Sequence, residues 1–454
     1  MHENRMSRWG LFAIICGFVL SPVGAIGQQA AKPEGPPRMA PAALYQPTLM
    51  PDRIVLTWTG DPTTSQAVTW RTSTEVSLAY AEITEAAASP WLEGKARRVT
   101  ATTRPFKSDL STCHVHTAEF KDLKPGVLYA YRVGDGVNWS EWFQFRTAAS
   151  SPEPFCFLYF GDAQRGLHSL WSRVVREAFR HAPRAAFTLH AGDLVTTAED
   201  DALWGEWFSA GSWLFASVPV IATPGNHDHV SVKKPDGTTV RQVSKYWPAN
   251  FAFPRNGPEG LQECVYYVDY QNLRVICLNS VVRLQEQAAW LERVLSENDR
   301  TWTVVTCHYP VFSLARNRDN EDLRQEWKPL FDRYGVDLVL TGHDHVYGRT
   351  GLLMPEGSDA KGPAHAGTVY ISSVSGPKMY ELSKKHGVDF RRVAEDTQLY
   401  QVISIDGPVL RYEACTANGK LYDAFTLKKT PGQPKEFSEQ IPAVPERRRP
   451  KKQS

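Results

Sequence analysis

The segment Gly225-Asn226-His227-Asp228 closely follows a short apolar run at residues 219–222. Asn after Gly is common in turns because it tolerates a left-handed backbone, but a turn does not require His and Asp next to it. Four further segments follow apolar runs in the same way: Gly161-Asp162-Ala163-Gln164, Gly192-Asp193, Cys307-His308 and Gly342-His343-Asp344-His345. Each of the five segments carries a side chain that binds metal ions.

The apolar runs before these segments are short and lie at residues 155–160, 185–189, 219–222, 303–306 and 337–340. They are typical of strands buried on both faces, and several gaps between them are roughly thirty residues, the length of a βαβ unit. Ligands of an open α/β sheet gather outside the carboxyl ends of its strands, so we expect the five segments to converge. Two carboxylates, one amide and three imidazoles at one place predict a centre for two metal ions.

The order Gly-Asp, Gly-Asp, Gly-Asn-His-Asp, His, Gly-His-x-His resembles that of the calcineurin-like metallophosphoesterases, and among them the purple acid phosphatases, from about residue 45 to about residue 428. The resemblance implies an α/β (α+β) metallophosphoesterase fold, in which two mixed β-sheets are sandwiched by helices. It also implies that two divalent or trivalent metal ions are bound. Asp193 would bridge both, Asp162 and His345 would complete the first, and Asn226, His308 and His343 would complete the second.

Two positions depart from the family pattern. The purple enzymes carry a Tyr three residues after the bridging Asp, where this chain has Thr196, so we expect no purple chromophore. Other members carry a His two residues after the first Asp, where this chain has Gln164. Gln164 either supplies an amide oxygen, or orients a bound water, or is only a polar residue at a strand end. Carboxylate, amide and imidazole ligands suit Fe, Zn, Mn or Mg, and the choice among these stays open.

The resemblance further implies that a hydroxide bridging the two metals attacks the phosphorus of a phosphate ester in line. His227, beside a ligand but not itself assigned as one, is the predicted proton donor to the leaving group. Asp228 is predicted to orient its imidazole and raise its pKa. His229 is predicted to be a surface neighbour. The segment Arg316-Asn317-Arg318 either clamps a phosphate or is an exposed loop, and the exposed loop is favoured.

Three functions follow from these expectations. The leading one is an exported, acid phosphatase-like hydrolase of phosphomonoesters. The alternative is a phosphodiesterase acting on nucleotides or phospholipid head groups. A function of another class is a secreted binding or adhesion protein with a relic metal site, although the complete ligand set argues against it.

Composition and the N-terminal sequence bear on location and partners. Residues 1–27 contain Arg5 and Arg8, an apolar run and then small residues, the pattern of a cleavable signal peptide. The apolar run is too short to span a bilayer, so we expect a secreted or periplasmic mature protein without a transmembrane segment. The net charge of +2 gives no indication of a nucleic-acid-binding surface, and none is predicted. The oligomeric state is left open.

Three regions are expected after the leader. Residues 45–148 show strand-like runs at residues 54–58, 67–71, 115–120, 128–133 and 142–146, at the spacing of an all-β sandwich. Within them, residues 123–132 resemble the corner of a fibronectin type III-like module. Residues 152–428 form the predicted catalytic domain, with helices at residues 170–181, 285–297 and 322–334 and with strands at residues 368–373 and 399–405 finishing a second sheet. Residues 429–454 are rich in Pro, Lys and Arg and are predicted to be a disordered basic tail.

The cysteines are not predicted to bind metal. Six cysteines follow the leader, and they allow fifteen disulfide connectivities. Most of them lie in apolar runs, which favours buried thiols. Cys264 and Cys277 flank a predicted hairpin and are the one pair that suggests a disulfide.

Overall fold

A computed structural model describes residues 39–355, 366–383 and 387–449 of the chain. The leader predicted at residues 1–27 lies outside these ranges. Residues from Pro41 onward belong to one unit. Its N-terminal part is all-β, and its C-terminal part combines two large sheets with helices.

The N-terminal part is a sandwich of two four-stranded sheets. A short helix, α1 (Pro41–Leu44), comes first. The strands that follow are β1 (Asp52–Thr57), β2 (Gln66–Thr72), β3 (Tyr80–Glu85), β4 (Arg97–Thr100), β5 (Thr102–Lys107), β6 (Thr112–Phe120), β7 (Leu128–Gly134) and β8 (Phe143–Arg146). The sheet orders are β1-β2-β6-β5 and β4-β3-β7-β8. The sequence did not indicate β3, β4 and β5. Of these, β4 and β5 are mostly exposed edge strands without an apolar run.

Buried polar contacts fasten the sandwich to the C-terminal part. Asp201 is 1% exposed and accepts hydrogen bonds from Arg53 Nη1 at 2.7 Å and from Arg71 Nη1 at 3.3 Å. The hydroxyl of Tyr131 donates to the carbonyl oxygen of Ala216 at 2.6 Å. A buried carboxylate is stable when cations and hydrogen bonds satisfy it, so these contacts fix the sandwich in one position.

The C-terminal part contains the remaining elements. They are β9 (Phe155–Phe160), α2 (Ser172–His181), β10 (Thr188–His190), α3 (Asp201–Gly211), β11 (Val220–Ala222), β12 (His229–Lys233), β13 (Thr239–Val243), α4 (Tyr246–Asn250), β14 (Tyr266–Tyr270), β15 (Leu273–Cys277), α5 (Leu284–Ser296), β16 (Trp302–Thr306), α6 (Glu321–Glu326), α7 (Lys328–Tyr334), β17 (Leu338–Thr341), β18 (Tyr347–Thr350), β19 (Val369–Ser372), β20 (Phe390–Ala394), β21 (Leu399–Asp406), β22 (Val409–Thr416), β23 (Leu421–Lys428) and β24 (Glu436–Glu439).

Two mixed sheets of seven strands carry the five segments that are predicted to bind metal. The first has the order β11-β10-β9-β21-β22-β23-β24, and β9, β10 and β11 run parallel. The second has the order β14-β15-β16-β17-β19-β18-β20, and β15, β16, β17 and β19 run parallel. The predicted fold class of two mixed sheets with helices is therefore confirmed.

Alternating side chains hold the layers together. In β16, Trp302 and Val304 enter the core between the two sheets, whereas Val305 enters a second core. Leu291 of α5 and Phe331 of α7 belong to that second core. Successive side chains of a strand point to opposite faces of the sheet. Because both faces of this sheet are covered, side chains on both sides of the strand are apolar, and the strand sequence is a largely apolar run.

Two sequence predictions about this part are wrong in detail. The strand predicted at residues 399–405 is β21, which lies beside β9 in the first sheet rather than finishing the second. The helix predicted at residues 322–334 is divided into α6 and α7, because Pro329 in the first turn of α7 cannot continue the preceding helix. Cys264 and Cys277 are both free and buried, which agrees with the buried thiols that the sequence favoured, and Cys277 is paired in register with Tyr266.

The prediction of a disordered tail is wrong for residues 429–449, while residues 450–454 lie outside the described ranges. Strand β24 pairs with β23, and Lys435 reaches Asp337 Oδ1 at 2.6 Å with both side chains fully buried. Lys429 also binds Asp337, at 2.8 Å. Tertiary contacts with a buried carboxylate therefore order a segment whose composition favours disorder.

Candidate metal centre

The five predicted segments meet where the carboxyl ends of the two sheets converge. Asp162, Asp193 and Asn226 follow β9, β10 and β11 in the first sheet. His308 follows β16 in the second sheet, and the Gly342–His345 segment follows β17. Both sheets therefore contribute side chains to one cluster, and all six residues predicted to bind metal belong to it.

One group of potential ligand atoms consists of Asp162, Asp193 and His345, whose ligand atoms all lie within 4.8 Å of one another. Nε2 of His345 is 3.3 Å from Oδ2 of Asp162. All three residues are buried. Two carboxylates and one imidazole at this spacing fit a hard or borderline divalent or trivalent ion.

A second group shares Asp193 with the first. Nε2 of His308 lies 3.3 Å from Oδ2 of Asp193, 3.2 Å from Oδ1 of Asn226 and 3.2 Å from Nδ1 of His343. The group thus offers one carboxylate oxygen, one amide oxygen and two imidazole nitrogens. Since Asp193 is common to both groups, this arrangement suits a carboxylate that bridges two ions.

The remaining polar atoms of these side chains fix their orientation. Oδ1 of Asp162 accepts the backbone N–H of His343 at 2.5 Å, and Oδ1 of Asp193 accepts the backbone N–H of His227 at 2.8 Å. Nδ1 of His308 donates to the carbonyl oxygen of Ala191 at 2.8 Å. Each hydrogen bond leaves the other oxygen or ring nitrogen directed at the cluster, as is usual around metal-binding carboxylates and histidines.

The backbone of the cluster is strained where the side chains turn inward. Asp193, His343 and His345 have φ angles of 50°, 69° and 50°, in a region that residues other than glycine seldom adopt. A Cβ on Gly225 would lie 2.2 Å from Oδ1 of Asp193, and one on Gly342 would lie 2.2 Å from Oδ1 of Asp162. Glycine is therefore required at these two positions by close packing against the carboxylates.

Burial and mutual charge shift the pKa values of the cluster. Burial alone would lower the pKa of His308, but the carboxylates of Asp193 and Asp162 outweigh it and raise this pKa to about 9. Burial, with the charge of Asp193, raises the pKa of Asp162 to about 7. Burial lowers the pKa of His345 to about 2, and the positive charge of Lys378 adds to the effect. A cluster in which some pKa values are raised and others are lowered is typical of a functional site.

His227 lies at the edge of the cluster with a partly exposed imidazole. Its Nδ1 donates to the carbonyl oxygen of Thr196 at 2.6 Å, which fixes the tautomer and leaves Nε2 directed at Oδ2 of Asp193, 4.0 Å away. The predicted role of Asp228 as the partner of this imidazole is wrong. Its carboxylate instead accepts the backbone N–H groups of Asp193 at 2.8 Å and Gly225 at 2.7 Å.

His229 is not the surface neighbour that the sequence predicted, since it is 6% exposed. Its Nδ1 donates to the carbonyl oxygen of Gly225 at 2.7 Å, and its Nε2 accepts from Nδ2 of Asn279 at 3.0 Å. His229 therefore supports the Asn226 segment from below. The alternation of strand β12, which turns His229 inward, could not be inferred because this strand was not predicted.

The Arg316-Asn317-Arg318 segment contains one exposed and one engaged arginine. The side chain of Arg316 is 69% exposed. Nη1 of Arg318 donates to the carbonyl oxygen of His343 at 2.6 Å, and it lies 3.5 Å from Oδ1 of Asp344. Arg318 thus braces the last metal-binding segment, and the exposed-loop interpretation holds for Arg316.

Asp344 and Lys378 take part in the site without having been predicted. The carboxylate of Asp344 accepts Oγ of Ser313 at 2.8 Å and the backbone N–H of Leu314 at 2.5 Å. Lys378 Nζ donates to Oε1 of Gln164 at 3.1 Å. Asp344 lies within the Gly342–His345 segment, so its place in the sequence could have indicated a role in the site. Nothing near Lys378 in the sequence indicated that a metal or a phosphate binds there.

Gln164 and Thr196 have defined contacts at the two positions that depart from the family pattern. Nε2 of Gln164 donates to Oδ2 of Asp193 at 2.6 Å, because its Oε1 faces the ammonium of Lys378. Gln164 is fully buried, so it is more than a polar strand-end residue. Oγ1 of Thr196 accepts the backbone N–H of Arg165 at 3.2 Å.

Comparison with known proteins agrees with both parts of the chain. Residues 51–147 match the model of the purple acid phosphatase N-terminal domain, and residues 157–347 match the calcineurin-like phosphoesterase model. An uncharacterized protein of Mycobacterium tuberculosis is 31% identical over 308 residues, which are 58% of this chain and 56% of that protein. The chain thus matches less than two thirds of that relative's length. Human acid phosphatase type 7 is 26% identical over 351 residues, or 68% of this chain and 72% of that protein.

Solved structures share the fold at low sequence identity. A purple acid phosphatase from yellow lupin seeds superimposes with a TM-score of 0.69 at 18% identity, covering 84% of this chain and 74% of that one. PhoD superimposes with a TM-score of 0.61 at 12% identity, covering 87% and 93%. With both domain models matched in the same order along the sequence, the chain is a purple acid phosphatase-like member of the calcineurin-like phosphoesterase superfamily.

Proposed function

We propose that this chain is a phosphoric ester hydrolase that cleaves phosphomonoesters with two metal ions and acts outside the cytoplasm after export. The observation that carries this proposal is the position of Asp193, whose carboxylate belongs to both groups of potential ligand atoms. The proposed ligands are those that the sequence predicted: Asp162, Asp193, Asn226, His308, His343 and His345. Support for a monoester substrate comes from the relatives that are named acid phosphatases.

The donor set supports Fe, Zn, Mn or Mg as the metal. Oxygen and imidazole donors predominate, and the buried thiol of Cys307 donates to the carbonyl oxygen of Tyr309 at 3.3 Å rather than facing the cluster. Thr196 has no phenol to offer, so a tyrosinate chromophore is not part of this proposal. When bound, two metal ions supply an activated water and absorb charge on the phosphoryl oxygens.

The residues of the chain then orient the metal ligands and supply a proton to the leaving group. Asp193 and Asp162 present one oxygen each to the cluster because their other oxygens hold neighbouring segments in place. His227 presents Nε2 toward the cluster from its partly exposed edge, since Thr196 holds its Nδ1. An alkoxide leaving group needs a proton, and Nε2 of a protonated His227 is the donor we assign.

Metal analysis combined with two chromogenic substrates tests this function. The purified protein, loaded with each of the four metals in turn, is assayed on nitrophenyl phosphate and on bis-nitrophenyl phosphate. We expect about two metal ions per chain and faster turnover of the monoester. The Asp193→Asn variant should lose metal and activity, whereas Asp299→Asn, at an exposed site before the amino end of β16, should lose neither.

The same assay separates the other functions. Faster turnover of the diester would assign a phosphodiesterase. Full metal loading without turnover of either ester would leave a binding or adhesion protein as the remaining function. Export is tested separately by sequencing the N-terminus of the protein recovered from the periplasm or medium, where we expect the leader to have been removed.

A further inference from the structure

A loop at residues 375–380 closes one side of the metal cluster. The backbone N–H of Gly376 donates to the carbonyl oxygen of Asp162 at 2.6 Å, and the backbone N–H of Tyr380 donates to the carbonyl oxygen of His345 at 3.2 Å. The loop is therefore tied at both ends to segments of the first metal group. A Cβ on Gly376 would lie 2.0 Å from the carbonyl oxygen of Ala163, so the close approach requires glycine.

Lys378 lies in the middle of this loop and points toward the cluster. Its Nζ is 3.1 Å from Oε1 of Gln164. The amide nitrogen of Gln164 lies 2.6 Å from Oδ2 of Asp193 and 3.3 Å from Oδ2 of Asp162. The ammonium group is thus separated from Oδ2 of Asp193 by the single amide group of Gln164.

An aromatic ring and a second cation limit where Lys378 can move. Its Nζ lies 5.4 Å from the ring centroid of Tyr380, and the guanidinium carbon of Arg318 lies 4.9 Å from the same centroid. The Tyr380 ring in turn packs edge-on against the imidazole of His345, with 4.8 Å between centroids. These contacts hold the lysine beside the cluster instead of letting it extend into solvent.

The ammonium of Lys378 keeps donors available for an anion. A lysine ammonium has three N–H donors, and one of them is used on Gln164. Among the described residues, no carboxylate lies within ion-pair distance of Lys378, whereas Arg318 is committed to His343 and Asp344. A partly buried cation without a counter-ion is costly, and the cost is removed when an anion binds beside it.

We propose that Lys378 binds the phosphoryl group of the substrate and so selects dianionic monoesters over monoanionic diesters. The inference rests on the proposed function and assigns a substrate-binding residue to that same site. A monoester offers a second negative charge and a further free oxygen to the ammonium. A diester carries a substituent on that oxygen and a single charge, and it gains less from the contact.

Phosphate binding and ester preference test the role of Lys378. Lys378→Met removes the charge at nearly constant length, Lys378→Arg keeps the charge, and Lys420→Met, at an exposed turn between β22 and β23, is the matched control. Binding of inorganic phosphate to each metal-loaded protein is measured by calorimetry, and metal content is measured on the same samples. KM and kcat for the monoester and the diester are then compared.

We expect Lys378→Met to weaken phosphate binding on the order of 10-fold, the usual effect of one charge-assisted hydrogen bond. KM for the monoester should rise while the diester changes little, so the preference for monoesters falls. Metal content should stay at the wild-type level. Lys378→Arg should recover most of the binding, and Lys420→Met should behave as wild type.

Three results would overturn this role. The first is unchanged phosphate binding in Lys378→Met, and the second is an equal loss of activity on both esters. The third is a fall in metal content that accounts for the loss of activity, because Lys378 would then only support Gln164. Absence of phosphate binding by the wild-type protein would overturn it as well. If the wild type hydrolyses neither ester, the proposed function fails, but the calorimetric comparison still decides whether Lys378 binds phosphate.

Discussion

The imidazole of His227 is held by the backbone of Thr196, whose carbonyl oxygen lies 2.6 Å from Nδ1. Thr196 is also the residue at the position where the purple enzymes carry a tyrosine ligand. Thr196 therefore both replaces the tyrosine of the purple enzymes and fixes the tautomer of the proposed proton donor. Because a carbonyl oxygen only accepts, the Nδ1 proton is fixed in place, and Nε2 is the nitrogen that exchanges a proton with a ligand.

His227→Ala is expected to lower turnover of an alkyl phosphate by roughly 10²-fold or more, since a poor leaving group depends on protonation. A nitrophenyl ester should lose less, because its leaving group is a weaker base. Metal content should be nearly unchanged. Equal rate losses on both substrates, measured on metal-saturated protein, would remove His227 from the donor role.

Asp228→Asn is expected to act on the structure of the metal centre instead of on proton transfer. The carboxylate accepts N–H groups from Asp193, Leu194 and Gly225, and an amide in its place presents a donor to part of this set. Metal content and melting temperature should fall, and the residual rate loss should be the same for alkyl and nitrophenyl esters. Asp236→Asn, at an exposed turn, is the control. A loss confined to alkyl esters would contradict this role.

Metal uptake is expected to weaken as the pH falls. The carboxylates of Asp193 and Asp162 outweigh burial and raise the pKa of His308 in the metal-free protein to about 9, and a metal can bind only the deprotonated ring. Affinity should fall roughly tenfold per pH unit below about pH 9, and more steeply below about pH 7, where Asp162 also binds a proton.

The raised pKa of His308 has the opposite consequence for the stability of the metal-free protein, which should fall as the pH rises. The pKa of His308 is higher than in the unfolded chain, so its stabilising contribution is complete below about pH 6.5 and is lost as the pH rises through about 9. Chelator competition at several pH values measures the affinity, and thermal unfolding of the metal-free protein measures the stability. An affinity that does not change with pH would show that His308 is already neutral.

The iron-loaded protein is expected to show no tyrosinate charge-transfer band in the visible. Thr196 cannot supply the phenolate, and two tyrosine rings pack against imidazoles of the proposed ligands, Tyr309 against His343 and Tyr380 against His345. An absorption spectrum after iron loading is the measurement. If a band appears, Tyr309→Phe and Tyr380→Phe will identify which ring has become a ligand.

Lys435→Met is expected to lower the free energy of unfolding by about 3 kcal/mol, because it removes one of the two lysines that bind the buried carboxylate of Asp337 and leaves the charge only partly compensated by Lys429. Asp337 directly precedes β17, the strand that carries the last metal-binding segment. Lys428→Met is the control, since the pair between Lys428 and Glu436 is exposed and should contribute only about 0–1 kcal/mol. Denaturant unfolding of both variants gives the comparison, and similar losses would contradict the importance of burial.

Much of the fold followed from local patterns. The predicted run at residues 155–160 is strand β9, and the runs before His308 and His343 match β16 and β17 to within a residue. Strands β4 and β5 could not be found in this way, because exposed edge strands carry no continuous apolar signal. Ordering of the C-terminal segment escaped prediction for a related reason, since the buried ammonium of Lys435 is satisfied by Asp337 and by the carbonyl oxygen of Gly367, both far away in the chain.

The sequence by itself determined the family, the order of the domains and the six side chains that meet at the strand ends. It could do so because strand ends are signalled locally and because the carboxyl ends of parallel strands share one edge. Only the tertiary structure decided that Asp228 supports the backbone of Asp193, that Thr196 orients His227, and that Lys378 reaches Gln164. These contacts join residues distant in sequence, and a hydrogen bond depends on positions and directions that no local pattern contains.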